Sequence, residues 1–143
     1  MTIENLLSRL DGVRKTGEGR WIAKCSAHTD KHPSLAIREL DDGRVLIKCF
    51  AQCETHDVLN AVGMKYADLF PKAKAVDFHR PAKRRPFNAI DVLRCIAFES
   101  LIVSVSASRL AKPNETLNEQ DRERLIVAAA RLQKAVEVAE PGL

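Results

Sequence analysis

The sequence predicts an α+β protein: a small three-stranded antiparallel sheet with short flanking helices, followed by an α-helical hairpin. Three observations lead there. Apolar residues recur at helical spacing at both ends of the chain, and short alternating segments bounded by turn residues lie between residues 20 and 49. A basic, Pro-containing stretch divides the two parts. With 143 residues, 45% hydrophobic and 29% charged, the chain has room for one small domain and an appendage, and its composition excludes disordered, collagenous and fibrous classes. Aromatic residues make up only 5%, so the core must rest on aliphatic side chains and Ala.

The elements follow in order. Ile3, Leu6, Leu7 and Leu10 fall at helical spacing, with Thr2 as N-cap, the acidic Glu4 in the first turn and Gly12 just past the end. Strands are predicted over residues 20–25, 34–40 and 44–49. The last two are joined by Asp41-Asp42-Gly43, residues that tolerate the positive φ of a tight hairpin. A short helix over 55–62 carries Asp57 in its first turn and exits at Gly63. A long helix over 88–110 has an unusually wide apolar surface and breaks at Pro113 and Asn114. Thr116 to Glu119 reads as a capping box, after which Leu125, Ile126, Ala129, Leu132 and Val136 recur along a second helix. Two helices joined by a short loop make an antiparallel hairpin. That hairpin has more apolar surface than two helices can bury between them, which leaves three destinations: the N-terminal part, a second copy (a homodimer through these helices), or a partner protein.

The charge is unevenly distributed. Residues 1–71 hold ten Lys/Arg and ten Asp/Glu, residues 72–86 hold six against one, and residues 87–143 hold seven against eight. The division is therefore an N-terminal domain over 1–71, a basic linker over 72–86 and a helical hairpin over 87–143. The first residues lack a basic start followed by an apolar block, and the run 90–105 is interrupted by Asp91, Arg94 and Glu99. Neither a secretory signal nor a membrane span is expected, and the expected location is the cytoplasm.

In a reducing compartment, four cysteines are read for metal before disulfides. Cys25 and His28 are separated by two residues, and Cys49 and Cys53 by three, with twenty residues between the pairs. Two such knuckles flanking a β-hairpin can meet at one tetrahedral centre. Three thiolates and an imidazole suit a single Zn²⁺, and four protein ligands leave no open position, so the ion is expected to be structural. It would also supply what a thin core lacks, on the order of 10 kcal/mol towards folding. His32 and His56 compete with His28 for the nitrogen position, while Cys95, on an apolar helix beyond the linker, reads as a small core hydrophobe.

The stretch Cys25-Ser-Ala-His28-Thr-Asp-Lys31-His-Pro33-Ser34-Leu35, with Cys49-Phe50-Ala-Gln-Cys53, Asp57 and Val58-Leu59, resembles the zinc-binding domain of bacterial and phage DNA primases. The resemblance covers about residues 3–70, and the three-residue second knuckle is closest to phage and mobile-element members. Ser26 stands where the family usually has Pro. Nothing after residue 71 resembles the primase polymerase domain, and no Asp-x-Asp pair occurs to hold catalytic Mg²⁺. The resemblance implies a zinc ribbon that binds DNA, expected to be single-stranded template, across its sheet face, in a replication accessory protein without an active site of its own. Cations for phosphates and flat side chains for bases are what that requires. The candidates are Lys24, Lys31 and Lys48 on the zinc module, Trp21 and Phe50 as stacking platforms, and Arg80, Lys83, Arg84 and Arg85 in the linker; Arg14, Lys15, Arg20, Arg38 and Arg44 are further basic residues near the ribbon. Two other readings stand beside this one: a protein-interaction module whose helices bind a replication or host protein, and the zinc subunit of a split primase that supports primer synthesis only with a separate catalytic chain.

Overall fold

The structure, a computed structural model, describes residues 3–70 and 87–139. Thr2 and the linker cations Arg80, Lys83, Arg84 and Arg85 lie outside the described residues. Helix α1 (Ile3–Leu7) leads into strands β1 (Arg14–Gly17), β2 (Arg20–Ala23), β3 (Leu35–Glu39) and β4 (Val45–Cys49). Helix α2 (Thr55–Ala61), a 3-10 turn over Tyr66–Leu69, and the long helices α3 (Ala89–Leu110) and α4 (Glu119–Ala139) complete it. The fold is α+β, a ribbon-like sheet with short helices and a C-terminal helical pair.

The sheet has four antiparallel strands in the order β1-β2-β3-β4, one more than the sequence predicts. The added strand, Arg-Lys-Thr-Gly, shows no apolar alternation because it is an edge. Arg14 and Lys15 are exposed there, and the ladder is irregular between Lys15 and Gly17; both features discourage pairing with another chain. At the β1–β2 turn, Gly19 has φ +62° and a Cβ would stand 3.0 Å from the Glu39 carbonyl oxygen, so the turn takes no side chain there. The β3–β4 turn forms at Asp41-Asp42-Gly43, with Gly43 at φ 81°.

Strand alternation divides the sheet into two faces. Trp21 lies opposite Ile37 and Ala23 opposite Leu35, and these point with Val45 and Ile47 into a first core closed by Leu6, Leu10, Val58, Leu59 and Leu69. Ile22 and Ala36 point the other way, into a second core with Phe50, Val92, Cys95, Ile96 and Ala135. The inner face of the hairpin is thus buried on the sheet, which settles one of its three destinations.

The two long helices are held together by small residues and by ionic contacts. Ala128 and Ala135 of α4 are 0% exposed and allow close approach. Glu99 of α3, 8% exposed, accepts hydrogen bonds from Arg124 (2.8 Å) and Arg131 (2.7 Å) of α4. The cap of α4 differs from the expected Thr116–Glu119 box. Asn118 caps instead, its Oδ1 accepting from the Asp121 amide at 2.7 Å while its side-chain amide donates to Asp121. Among the described residues, no helix is long and apolar enough to cross a membrane.

Candidate metal centre

Each ligand pair sits where a strand ends. Cys25 follows β2, and the chain turns at once to present His28; Cys49 is the last residue of β4 and pairs with Leu35 of β3. After it, Gln52 adopts φ 69°, a left-handed turn that brings Cys53 round just before α2. The hairpin between the pairs aligns the two knuckles. The ligand atoms of Cys25, His28, Cys49 and Cys53 all lie within 4.8 Å of one another, with Cys25 and Cys49 buried and the other two half-buried. This Cys3His cluster can hold one metal ion. His32 and His56 are not part of it: His32 stacks on Phe98 of α3 with ring centroids 4.5 Å apart, and His56 bonds to Asn60 on the exposed side of α2.

The electrostatics of the cluster suit a cation. A hydrogen bond from Cys25 holds the Cys49 thiol down at about 5, against the opposing effect of burial, and the Cys53 and Ala51 amides also point to its sulfur. Cys25, as the donor in that pair and buried besides, is pushed up, and burial raises Cys53, with the negative charge of Cys49 adding to it. One thiolate with two thiols crowded against it is a set that a divalent ion completes by displacing the remaining protons. Cys95 differs. Burial pushes it up to about 12, with Asp91 adding to the shift, and its place in the second core makes it an inert packing residue.

One residue without a role at the sequence level organises the site. Asp30 Oδ2 accepts from the Cys25 amide at 2.8 Å and from the Ser34 hydroxyl at 2.6 Å. Its Oδ1 lies 3.5 Å from His28 Nε2, while His28 Nδ1 faces Cys53 Sγ at 3.2 Å. The imidazole therefore turns Nδ1 to the sulfurs and Nε2 to a carboxylate, the arrangement that fixes tautomer and orientation in metal-ligating histidines. The signal was present as the acid two residues after His28.

The candidate nucleic-acid residues are dispersed. Phe50 is corrected: it is 5% exposed in the second core, covered by the hairpin, and offers no face to a base. Trp21 is half-buried against the first core and lies across from Lys15. Lys31 is exposed on the knuckle loop, at a cleft of about 200 Å³ that Arg124 and Arg131 also line. Lys48 lines a separate cleft of about 340 Å³ with Lys134, and Lys24, beside Cys25 just past the end of β2, lies along Gly12. The middle of the sheet face expected to take DNA is occupied by α3. Around it the register aligns Arg14, Ile22, Ala36 and Lys48 in one row and Arg20 with Arg38 in another, so the strands give this face several cations and no acid. The counter-charge comes from the buried Asp91 of α3, 3.9 Å from Arg20.

No family model, curated protein or solved structure matches this chain.

Proposed function

We propose that this protein is a zinc-stabilised nucleic-acid-binding module of the DNA primase zinc-domain type, serving DNA replication of a phage or mobile element from the cytoplasm, with no polymerase site of its own. Three sulfurs and one nitrogen in a closed set favour Zn²⁺ over harder or redox-active ions, and the four protein ligands assign it a structural role.

The observation that carries the nucleic-acid reading is the basic rim of the sheet. Arg14, Arg20, Arg38 and Lys48 share one face, the strands add no acid there, and Lys31 extends the positive surface on the knuckle loop. With α3 over the centre of that face, phosphates follow the rim, and a base reaches the open part of Trp21, which the opposite face carries beside Lys15 of the edge strand β1, where the nucleic acid passes round that edge. The linker cations Arg80, Lys83, Arg84 and Arg85 add to the same attraction. Because Zn²⁺ with three thiolates and a neutral imidazole contributes about −1 locally, they supply much of the net charge.

Titration of labelled single- and double-stranded oligonucleotides across a salt series tests this. Binding should weaken as salt rises, and replacing the four linker cations with Gln should flatten the slope by up to about four units, less on single strands. Trp21→Ala, with metal retained, should weaken single-strand binding selectively. Absence of binding at low salt overturns the reading in favour of a protein-interaction module, and stimulation of primer synthesis by an added catalytic chain would identify a split primase.

A further inference from the structure

We propose that the outer face of the helical hairpin is a dimer interface whose occupant is a second copy of this chain. The inner side of α3 is used: Val92, Cys95, Ile96 and Glu99 are buried against the sheet and α4. Directly opposite, Ile90, Leu93, Leu101 and Val105 are 51–61% exposed, and on α4 Ile126 and Val136 are 64% and 52% exposed. The ionic clamp from Glu99 to Arg124 and Arg131, with the Arg109–Asp121 pair, sets the antiparallel register. That register places Leu101 level with Ile126 and Leu93 level with Val136. Ile90, Leu93 and Val136 already share a cleft of about 690 Å³ at the open end of the hairpin. The two stripes are one face.

Two features select a second copy as the occupant. The first is charge. Along the α3 stripe no acid appears, and its one cation, Arg94, is held 3.6 Å from Asp91; on α4 the exposed charges that flank Ile126 and Val136, Arg122, Glu123 and Glu137, carry both signs. Such a face offers little to an acidic or basic partner or to a phosphate backbone, but it is complementary to itself, as a two-fold interface requires. In an antiparallel pairing of α3 with its copy, with the axis near Glu99, the two Arg94 side chains start roughly 15 Å apart along the helices, so they do not repel strongly. The second is size. The six large apolar residues expose roughly 600 Å² per protomer, most of the ~800 Å² per partner that a standard interface buries. Pairing converts two hairpins into a four-helix layer between two outward-facing sheets, which supplies the second apolar layer that each hairpin lacks. Both metal centres remain outside the interface, and of each basic rim only Arg20 and Arg38 border it, at the open-end cleft, so the proposal does not rest on the nucleic-acid reading.

Sedimentation equilibrium of the full, metal-loaded chain tests it. The wild type should show twice the 15.9 kDa protomer mass at micromolar concentration. Leu93→Glu with Leu101→Glu, both at exposed positions, should give protomer mass at the same concentration, at least a tenfold loss in dimer affinity, with metal content and helical circular dichroism unchanged. A second variant, Ile126→Glu on α4, should weaken the dimer in the same direction. A wild type that stays monomeric at about 100 μM overturns the proposal, as does a dimer that survives both variants with the hairpin intact.

Discussion

The metal module and the helical hairpin are stabilised in different ways. The module closes a core of its own, with Leu6, Leu35, Ile37, Val58 and Leu59 almost wholly buried, and its two strand ends bring together four side chains able to hold one metal ion. The hairpin has no comparable core. Its helices touch through Ala128, Ala135 and the Glu99 clamp, and its large apolar residues lean on Ile22, Ala36 and Phe50 of the module. The module can therefore define its fold without the hairpin's help, whereas the hairpin borrows a surface. Stability should pass in one direction, from the metal centre outward.

The largest effect tests that direction. Cys49→Ser, or removal of the metal by a chelator, should cost on the order of the 10 kcal/mol a structural zinc supplies and should abolish amide protection across β2, β3 and β4. α3 and α4 should keep part of their helicity, since they are long, but lose it at a lower temperature once the sheet no longer supports them. One equivalent of zinc in freshly purified protein, measured by elemental analysis, is the companion expectation. Retention of full sheet protection in Cys49→Ser would break the comparison.

Glu99→Ala is the converse experiment. Removing the carboxylate leaves two partly buried guanidiniums facing each other, with a cost of about 3 kcal/mol. The loss should appear in hairpin melting, with zinc content and protection of β3 unchanged. Asp30→Asn is smaller and acts on the other region. The variant should keep the fold while lowering metal affinity by roughly 10–100-fold, read by competition with a chromophoric chelator.

The smallest effect is a pH dependence. Burial works to raise the Glu99 carboxyl, but the hydrogen bonds from Arg124 and Arg131 outweigh it and hold the group below its ordinary 4.5. A carboxyl depressed in the folded state contributes stability that is complete above the unfolded value and fades as pH falls through the folded one. The clamp should therefore persist at mildly acidic pH and weaken only below about 4.5. Metal release, which needs protons on thiolates, should follow a separate curve. Coincident loss of zinc and of hairpin structure in Glu99→Gln and wild type alike would show that the two regions do not titrate independently.

Much of this was legible in the chain. The ligand pairs, the Asp41-Asp42-Gly43 turn and the two long helices follow from residue type and spacing, because each is a local matter of geometry or periodicity. The misses concern which partner a residue finds, whether near or far along the chain. β1 carries no alternation because an edge strand is specified by the partner it pairs with, here Trp21 and Ile22 of β2. Asp30 has a role only because folding brings the Cys25 amide, Ser34 and His28 around it.

Phe50 marks the boundary most clearly. By sequence it is an aromatic beside a metal ligand, equally suited to stack on a base or to fill a core. Which of these it does depends on what lies above the sheet, and that is decided by α3, some forty residues away and beyond a linker. The sequence alone determined the Cys3His cluster that can hold a metal, the helical hairpin and its apolar excess, since these are written in spacing and composition. Only the tertiary structure decided that one side of that excess is spent on the sheet and the other left outward. Burial is a property of pairs of surfaces, and a single segment carries no record of the surface it will meet.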